Sequence, residues 1–205
     1  EAYRQGVMRI GTGTRISNRW QRAALSAAVT AALYAIVWYL SELVGIADPL
    51  FPVCVLFLTM GWSTLINDIW KPTLRSPWFG PQPFEVGGKL YRGLGVPAFQ
   101  SLLRRIGWER ITRDRGARFE RSPSVASQWE HRSRLSEFAH LMGILAVFPI
   151  LISMILTWNP MAAAYLVFWT IPLHGYPIML QRYNRPRYQR VIDWEERKCI
   201  TSRSS

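Results

Sequence analysis

The sequence predicts an all-α membrane protein with four transmembrane helices arranged as two hairpins, and a cytoplasmic amphipathic helical segment between them. The first observation behind this prediction is the distribution of charge. The 205 residues carry 25 Lys and Arg against 13 Asp and Glu, a formal net charge of +12, yet residues 23–70 and 135–181 contain no cation. The basic residues all lie in 1–22, 71–134 and 182–205. Helices on the surface of a soluble protein carry cations throughout, so the pattern argues against a nucleic-acid-binding domain and indicates a membrane protein.

The second observation is the length of the apolar runs. A helix needs about 20 apolar residues to cross a bilayer core of roughly 30 Å. Each cation-free run holds two such stretches, separated by turns at 47–49 and at 159–160, and both turns contain a proline that disfavours a continuous helix. The predicted organisation is a basic arm (1–22), a first hairpin (23–70), an interfacial segment (71–134), a second hairpin (135–181) and a basic tail (182–205).

The third observation is the asymmetry of the loops, which predicts orientation. Both hairpin tips lack Lys and Arg, while the termini and the central segment are rich in them. The positive-inside rule therefore places both termini and the central segment in the cytoplasm. Trp20 and Trp70 flank the inner ends of the first hairpin, and Trp38 and Trp158 lie near the outer tips, as expected of aromatic belts at the headgroups. Membrane lipids are the partners that this arrangement implies.

The central segment is predicted to be helical from Lys89 onward. Apolar residues recur at spacings of three and four, from Leu90 and Leu94 to Leu102, with arginines such as Arg92 between them. A cationic amphipathic helix of this kind is expected to lie in the plane of the membrane interface.

Glu137 and His140 are the sharpest candidates for catalysis. They lie three residues apart at the start of the third crossing, so their side chains share one face of a helix. A carboxylate beside an imidazole fixes its tautomer and raises its basicity, which suits a general base acting on a hydroxyl group. The alternative is structural: Glu137 bonds a neighbouring helix and His140 is satisfied within the bundle.

A second group of candidate residues lies at the end of the fourth crossing. It is the string Gln-Arg-Tyr-Asn-Arg-Pro-Arg over residues 181–187. Guanidinium groups match the geometry of phosphate, although arginines here also serve as snorkelling charges. Pro186 predicts that Arg185 lies outside a helix. With Asp68, Glu137 and His140 at the same depth, the string indicates a site facing the cytoplasmic leaflet, where an amphipathic lipid and a phosphorylated donor can meet. His174, between two prolines in the same crossing, is expected to be a kink histidine bonded to a freed carbonyl.

These motifs resemble one known family. The 181–187 string, Glu137-x-x-His140, and the stretch Gly-Lys-Leu-Tyr-Arg-Gly-Leu-Gly-Val at 88–96 are similar to the glycosyl-4,4′-diaponeurosporenoate acyltransferases of staphyloxanthin-type carotenoid biosynthesis, over roughly residues 84–190. Where relatives often have Trp-Lys, this chain has Phe99 and Gln100.

The resemblance implies a multi-pass protein of the bacterial inner membrane that transfers a fatty acyl group to a sugar hydroxyl of a glycosylated carotenoid or similar glycolipid. Acyl-CoA is the expected donor, and no cofactor is required. His140, oriented by Glu137, is the expected base. The residues expected to bind substrate or donor are Tyr91, Arg92, Arg182, Tyr183, Asn184, Arg185 and Arg187.

A different class of function stays open. Ten Trp, eight Tyr and nine Phe supply extensive apolar surface, which also suits a non-catalytic subunit of a larger membrane complex, such as a photosynthetic one. Such a subunit binds a carotenoid or a chlorophyll-type pigment, with His174 or His140 as the axial ligand of the pigment magnesium.

Overall fold

A computed structural model describes residues 18–108 and 123–203 of the chain. Most of the basic arm and residues 109–122 of the interfacial segment lie outside this range. Within the described residues the chain contains no strand and forms seven α-helices. They are α1 (Arg19–Val44), α2 (Leu50–Trp70), α3 (Lys89–Gly93), α4 (Val96–Arg105), α5 (Pro123–Leu156), α6 (Pro160–Thr170) and α7 (Tyr176–Arg203). Two 3₁₀ turns, Pro77–Phe79 and Pro83–Glu85, precede α3, and a π-helical turn, Ile171–Gly175, joins α6 to α7.

Four helical units are long and apolar enough to cross a membrane: α1, α2, α5 and the continuous unit of α6, the π-helical turn and α7. The prediction of an all-α membrane protein with four spanning helices is confirmed. The helices of the second hairpin are longer than expected. Helix α5 begins 12 residues before position 135 and α7 extends far beyond position 181, so both project from the apolar layer.

Tight turns connect the helices of each hairpin at the predicted positions. In the first turn Gly45 has a φ of 90° and its N–H donates to the Ser41 carbonyl, while the Asp48 carboxylate accepts from the N–H of Leu50 at 2.8 Å. A left-handed φ of this kind favours glycine. In the second turn the N–H of Asn159 donates to the Met154 carbonyl. We call this end of the bundle the tip end, and the opposite end, which carries the basic segments, the charged end.

The apolar core lies between the helices in the half of the bundle nearer the tip end. Its buried members are Leu33, Val37, Phe51, Val55, Leu56, Ala146, Val147, Ile150, Met154, Ala162, Ala163 and Leu166. Hydrogen bonds between side chains add to this packing: the indole of Trp62 donates to Thr30 at 3.0 Å and that of Trp70 to Ser26 at 2.8 Å. In lipid such bonds contribute about 0.6–2 kcal/mol each to helix association.

The interfacial segment packs on α7 at the charged end. The hydroxyl of Tyr176 donates to the Leu94 carbonyl at 3.0 Å, and the rings of Tyr176 and Phe99 lie 5.0 Å apart. The predicted helix is present as two short helices, because Gly95 takes a left-handed φ of 76° between them. The side chains of Leu90 and Leu102 are exposed, as expected of a segment whose apolar side faces the membrane interface. Phe99 therefore docks α4 onto α7.

Candidate functional site

A layer of buried ion pairs lies where α5 and α7 leave the apolar core at the charged end. Glu137 of α5 is fully buried, and its two carboxylate oxygens accept from different arginines of α7: from Nε of Arg182 at 2.8 Å and from Nη2 of Arg185 at 2.6 Å. Nη1 of Arg182 also donates to Glu85, in the second 3₁₀ turn, at 2.7 Å. We call these four residues, two carboxylates and two guanidinium groups, the ion-pair layer. It has no net charge.

Arg182 has a partner for each nitrogen of its guanidinium group. Besides its two carboxylate partners, it donates through Nη2 to the carbonyl of Trp78 at 2.9 Å, and its Cζ lies 4.9 Å from the centre of the Trp78 ring. In this structure, therefore, all three guanidinium nitrogens of Arg182, an expected donor-binding residue, bond protein groups. Its planar fork, which would suit phosphate, instead ties the interfacial segment to α5 and α7.

Glu85 is the residue of the interfacial segment whose carboxylate bonds Arg182. One of its carboxylate oxygens accepts from the Gln82 N–H at 2.8 Å, which forms a capping box, and the other accepts from the hydroxyl of Tyr91 at 2.5 Å and from Arg182. Burial alone would raise the pKa of Glu85, but these hydrogen bonds and the Arg182 charge outweigh it and lower the pKa. Burial and the adjacent Glu85 carboxylate raise the pKa of Tyr91 well above its usual range. Tyr91, an expected substrate-binding residue, is buried and donates to Glu85.

Arg185 is the most deeply buried cation of the layer, with no exposed surface. It donates through Nη2 to Glu137 and to the Ser133 hydroxyl at 3.3 Å, while Nε and Nη1 have no protein partner. The prediction that Pro186 places Arg185 outside a helix is wrong, because α7 continues through Pro186. The proline removes one backbone hydrogen bond, and the ion pairs of Arg182 and Arg185 in the preceding turn link α7 to Glu137 of α5.

The expected pair of Glu137 and His140 does not form. Both oxygens of Glu137 face arginine, as the structural alternative anticipated. His140, one turn deeper on α5, instead has its Nδ1 3.2 Å from Nδ1 of His174, with the ring centres 5.3 Å apart in an edge-on arrangement. Three residues of spacing place two side chains on one face, but do not determine which neighbour each one meets.

His174 lies fully buried in the π-helical turn. The expected break in the helix is present as this π-helical turn, but the ring nitrogens meet side chains of α5 and α2 rather than a freed backbone carbonyl. Besides His140, it meets Thr59 of α2, whose Oγ1 lies 3.5 Å from Nε2. Gly143 of α5 makes room for the ring: a Cβ at this position would lie 2.4 Å from Cε1 of His174. We call His140, His174 and Thr59 the histidine layer.

Sequence reasoning missed Glu85, Thr59 and Gly143. Each had a weak local signal. Glu85 is a carboxylate within a Pro- and Gly-rich stretch, Thr59 is the first hydroxyl residue of α2 after nine apolar positions, and Gly143 is a glycine one turn after the candidate base.

Outside the ion-pair layer, a small polar surface surrounds Tyr183. The Nη2 of Arg187 donates to the Tyr183 hydroxyl at 2.7 Å, and the guanidinium carbon lies 4.4 Å from the ring centre. On the other side, Tyr183 packs edge-on against Tyr91 and closes over Gly88, where a Cβ would lie 3.0 Å from its ring and 3.4 Å from Nη1 of Arg92. Arg92 and Arg187 are both exposed. They are the predicted donor-binding cations that stay accessible.

The two other residues placed at this depth lie beside the site. Asn184 is half-buried on α7, and Asp68 is exposed at the end of α2.

Comparison with known proteins identifies the family. A family model described as glycosyl-4,4′-diaponeurosporenoate acyltransferase matches residues 75–194, more than half of the chain. The protein belongs to this family. The match covers the ion-pair layer and both histidines, whereas Thr59 lies outside it. No curated protein and no solved structure shows significant similarity to this chain. The family is bacterial, and together with the four apolar helices it supports the role of a membrane acyltransferase-like protein.

Proposed function

We propose that this acyltransferase-family protein transfers a fatty acyl group from acyl-CoA to a sugar hydroxyl of a glycosylated carotenoid or a similar glycolipid, at the cytoplasmic face of the bacterial inner membrane. The observation that carries the proposal is the position of His140. Its ring is half-buried and held on one side through Nδ1, just inside the charged end of a bundle that belongs to an acyltransferase family.

In the proposed reaction His140 accepts the proton of the sugar hydroxyl at Nε2. The sugar oxygen then attacks the thioester carbonyl carbon and forms a tetrahedral oxyanion. When this intermediate collapses, the carbon–sulfur bond breaks, and the thiolate of CoA takes the proton from His140. The products are the sugar ester and free CoA, and the base returns to its starting state.

The donor's phosphates are proposed to lie on the exposed surface around Tyr183, with Arg92 and Arg187 as the cations that meet them. Fork-shaped guanidinium groups suit phosphate. Glu137, Arg182 and Arg185 hold the interfacial segment and α7 in place around this surface. The membrane lies beside the same end of the bundle, so an amphipathic acceptor can present its sugar there while its apolar part stays in lipid.

The pigment-binding alternative has less support. Both ring nitrogens of His174 face protein groups, His140 at 3.2 Å and Thr59 at 3.5 Å, so an axial bond from His174 to a pigment magnesium requires that one of these contacts be broken.

The test is acyl transfer by purified protein in lipid nanodiscs, with acyl-CoA and either a glycosylated carotenoid or a glycolipid. We expect His140→Ala to lower kcat by about 10²–10⁴-fold, the usual contribution of a general base. His131→Ala is the matched control, because His131 is an exposed histidine of the same helix, and it should leave kcat unchanged. Undiminished turnover after His140→Ala would remove His140 from the mechanism.

A second pair of substitutions tests the proposed donor site. Arg187→Gln should raise KM for acyl-CoA several-fold with little change in kcat, whereas Arg190→Gln, an exposed cation three residues further along α7, should change neither. Equal effects of the two substitutions would show that only the general charge of α7 matters.

A further inference from the structure

We infer that Thr59 and His174 act as positioning residues that set the protons on His140, so that its Nε2 is left bare and basic. The inference rests on the proposed function, in which His140 is the base. It assigns a role to His174 and Thr59, and it replaces Glu137 as the group that orients the base.

The argument begins at Thr59, whose hydroxyl has one proton to donate. Thr59 Oγ1 lies 2.9 Å from the carbonyl of Leu56, one turn earlier on α2. A carbonyl oxygen only accepts, so the hydroxyl proton points to Leu56. Toward Nε2 of His174, at 3.5 Å, Thr59 can therefore only accept, and Nε2 of His174 carries the hydrogen.

The proton on Nε2 determines the other nitrogen of His174. A neutral imidazole has one N–H and one bare nitrogen, so Nδ1 of His174 is the acceptor. It lies 3.2 Å from Nδ1 of His140. Two bare nitrogens or two N–H groups would repel each other at this distance, so Nδ1 of His140 must carry the hydrogen of this contact.

The hydrogen on Nδ1 of His140 determines the state of its other ring nitrogen, Nε2. With its hydrogen on Nδ1, the neutral ring has its lone pair on Nε2, and Nε2 is the atom that can accept a proton from a hydroxyl group. In a hydrolase triad a carboxylate holds the histidine in this tautomer. Here the backbone carbonyl of Leu56, the Thr59 hydroxyl and the His174 ring form a neutral equivalent within an apolar bundle.

The local packing supports a fixed ring rather than a rotating one. His174 has no exposed surface, and Gly143 leaves just enough space for it, since a Cβ there would lie 2.9 Å from Nδ1 as well as 2.4 Å from Cε1. A ring flip that exchanged Nδ1 for a carbon atom would remove the acceptor of the His140 hydrogen.

The first test reads the protons directly and needs no activity. The full chain is labelled with ¹⁵N-histidine and placed in nanodiscs, and the three histidines are assigned with His131→Gln and His140→Gln variants. We expect the Nδ1–H form for His140 and the Nε2–H form for His174. Thr59→Val should let His174 populate both forms, while Thr64→Val should change nothing, because Thr64 is an exposed hydroxyl of α2 bonded to its own helix. An Nε2–H form of His140 in the wild type, or tautomers unchanged by Thr59→Val, would overturn the inference.

The second test separates positioning from packing. His174→Leu keeps a side chain of similar volume and removes both nitrogens, whereas His174→Asn is smaller and keeps a polar atom near the place of Nδ1. If His174 positions the base, kcat falls by about 10²-fold for Leu and by less for Asn, with KM for acyl-CoA within about twofold in both. If His174 only fills space, Leu retains kcat and Asn loses it.

The outcomes distinguish failure of the positioning role from failure of the proposed function. Loss of kcat in His140→Ala with full kcat in His174→Leu would overturn the positioning role and leave the proposed function standing. A wild-type protein without any acyl transfer would contradict the proposed function, and the tautomer measurement would still decide the positioning role. If His174→Leu does not fold, Thr59→Val against Thr64→Val makes the same comparison, with an expected loss of about tenfold in kcat for Thr59→Val alone.

Discussion

Replacing Glu137 by glutamine tests whether the ion-pair layer holds the bundle together. Glu137 is 0% exposed and bonds both Arg182 and Arg185. Glutamine has nearly the same shape but no charge, and its amide presents a donor to one of the two guanidinium groups. Among the residues that the structure describes, Glu137 is the one carboxylate paired with Arg185. The substitution therefore leaves a buried guanidinium group without a counter-charge.

The expected magnitude follows from which partner remains. Breaking a buried pair by removing one charge costs about 3–5 kcal/mol, and we expect Glu137→Gln to lower the free energy of unfolding by this amount. Glu85→Gln should cost less, about 1–3 kcal/mol, because Arg182 then keeps Glu137 as its counter-charge. The larger loss is expected for Glu137→Gln because Glu137 bonds both arginines. This order tests the assignment better than either value alone.

The assay is reversible unfolding of the purified protein in mixed micelles, followed by tryptophan fluorescence. Glu130→Gln on the same helix is the matched control. Its carboxylate forms a partly buried pair with Arg134 one turn away. We expect a loss of about 1–2 kcal/mol, because Arg134 keeps the Leu74 carbonyl as a partner. If Glu137→Gln costs no more than Glu130→Gln, or less than Glu85→Gln, the assignment of Glu137 as the shared counter-charge is refuted.

Two further predictions concern Gly143 and Glu85. Gly143→Ala should lower the free energy of unfolding by about 1–3 kcal/mol through overpacking against His174, and should abolish the tautomer preference of that ring. Gly61→Ala, where the added Cβ meets no atom within 4 Å, should be neutral or slightly stabilising in the same unfolding assay. For Glu85, the hydrogen bonds and the Arg182 charge lower the folded-state pKa, so its contribution to stability is complete at neutral pH. That contribution should decline as pH falls from about 4.3 through the lowered pKa. In Glu85→Gln this part of the pH dependence of unfolding should disappear, and an unchanged acid slope would argue against it.

The architecture was predictable because lipid imposes a simple rule on sequence. A cation within the hydrocarbon region costs several kcal/mol, so the two runs without Lys or Arg marked the spanning helices without any knowledge of their packing. The same rule placed the two turns, since polar and proline-containing tips must lie outside the apolar layer. The ends of α5 and α7 could not be predicted in this way. Helices that leave the membrane are polar, and hydropathy does not distinguish them from irregular chain.

The candidate site was predictable as a set of residue types and not as a set of contacts. The spacing of Glu137 and His140 established a shared face, but a helix face is wide enough for two different neighbours. Which neighbour each one meets depends on the rotation of α7 and on the π-helical turn, which shifts the register of His174. Glu85 lies 97 residues before Arg182, and no local pattern links two residues so far apart.

The ion-pair layer also has a consequence for how the protein is made. Its carboxylates are synthesised first and its guanidinium groups last, with Arg182 following Glu85 by 97 residues and Glu137 by 45. Until the final helix emerges from the ribosome, Glu137 lacks both of the arginines that it bonds in the folded protein. The ion-pair layer can therefore form only after α7 has been synthesised and has packed against α5. A chain that ends before Arg182 therefore leaves Glu85 and Glu137 without the arginines that they bond in the folded protein.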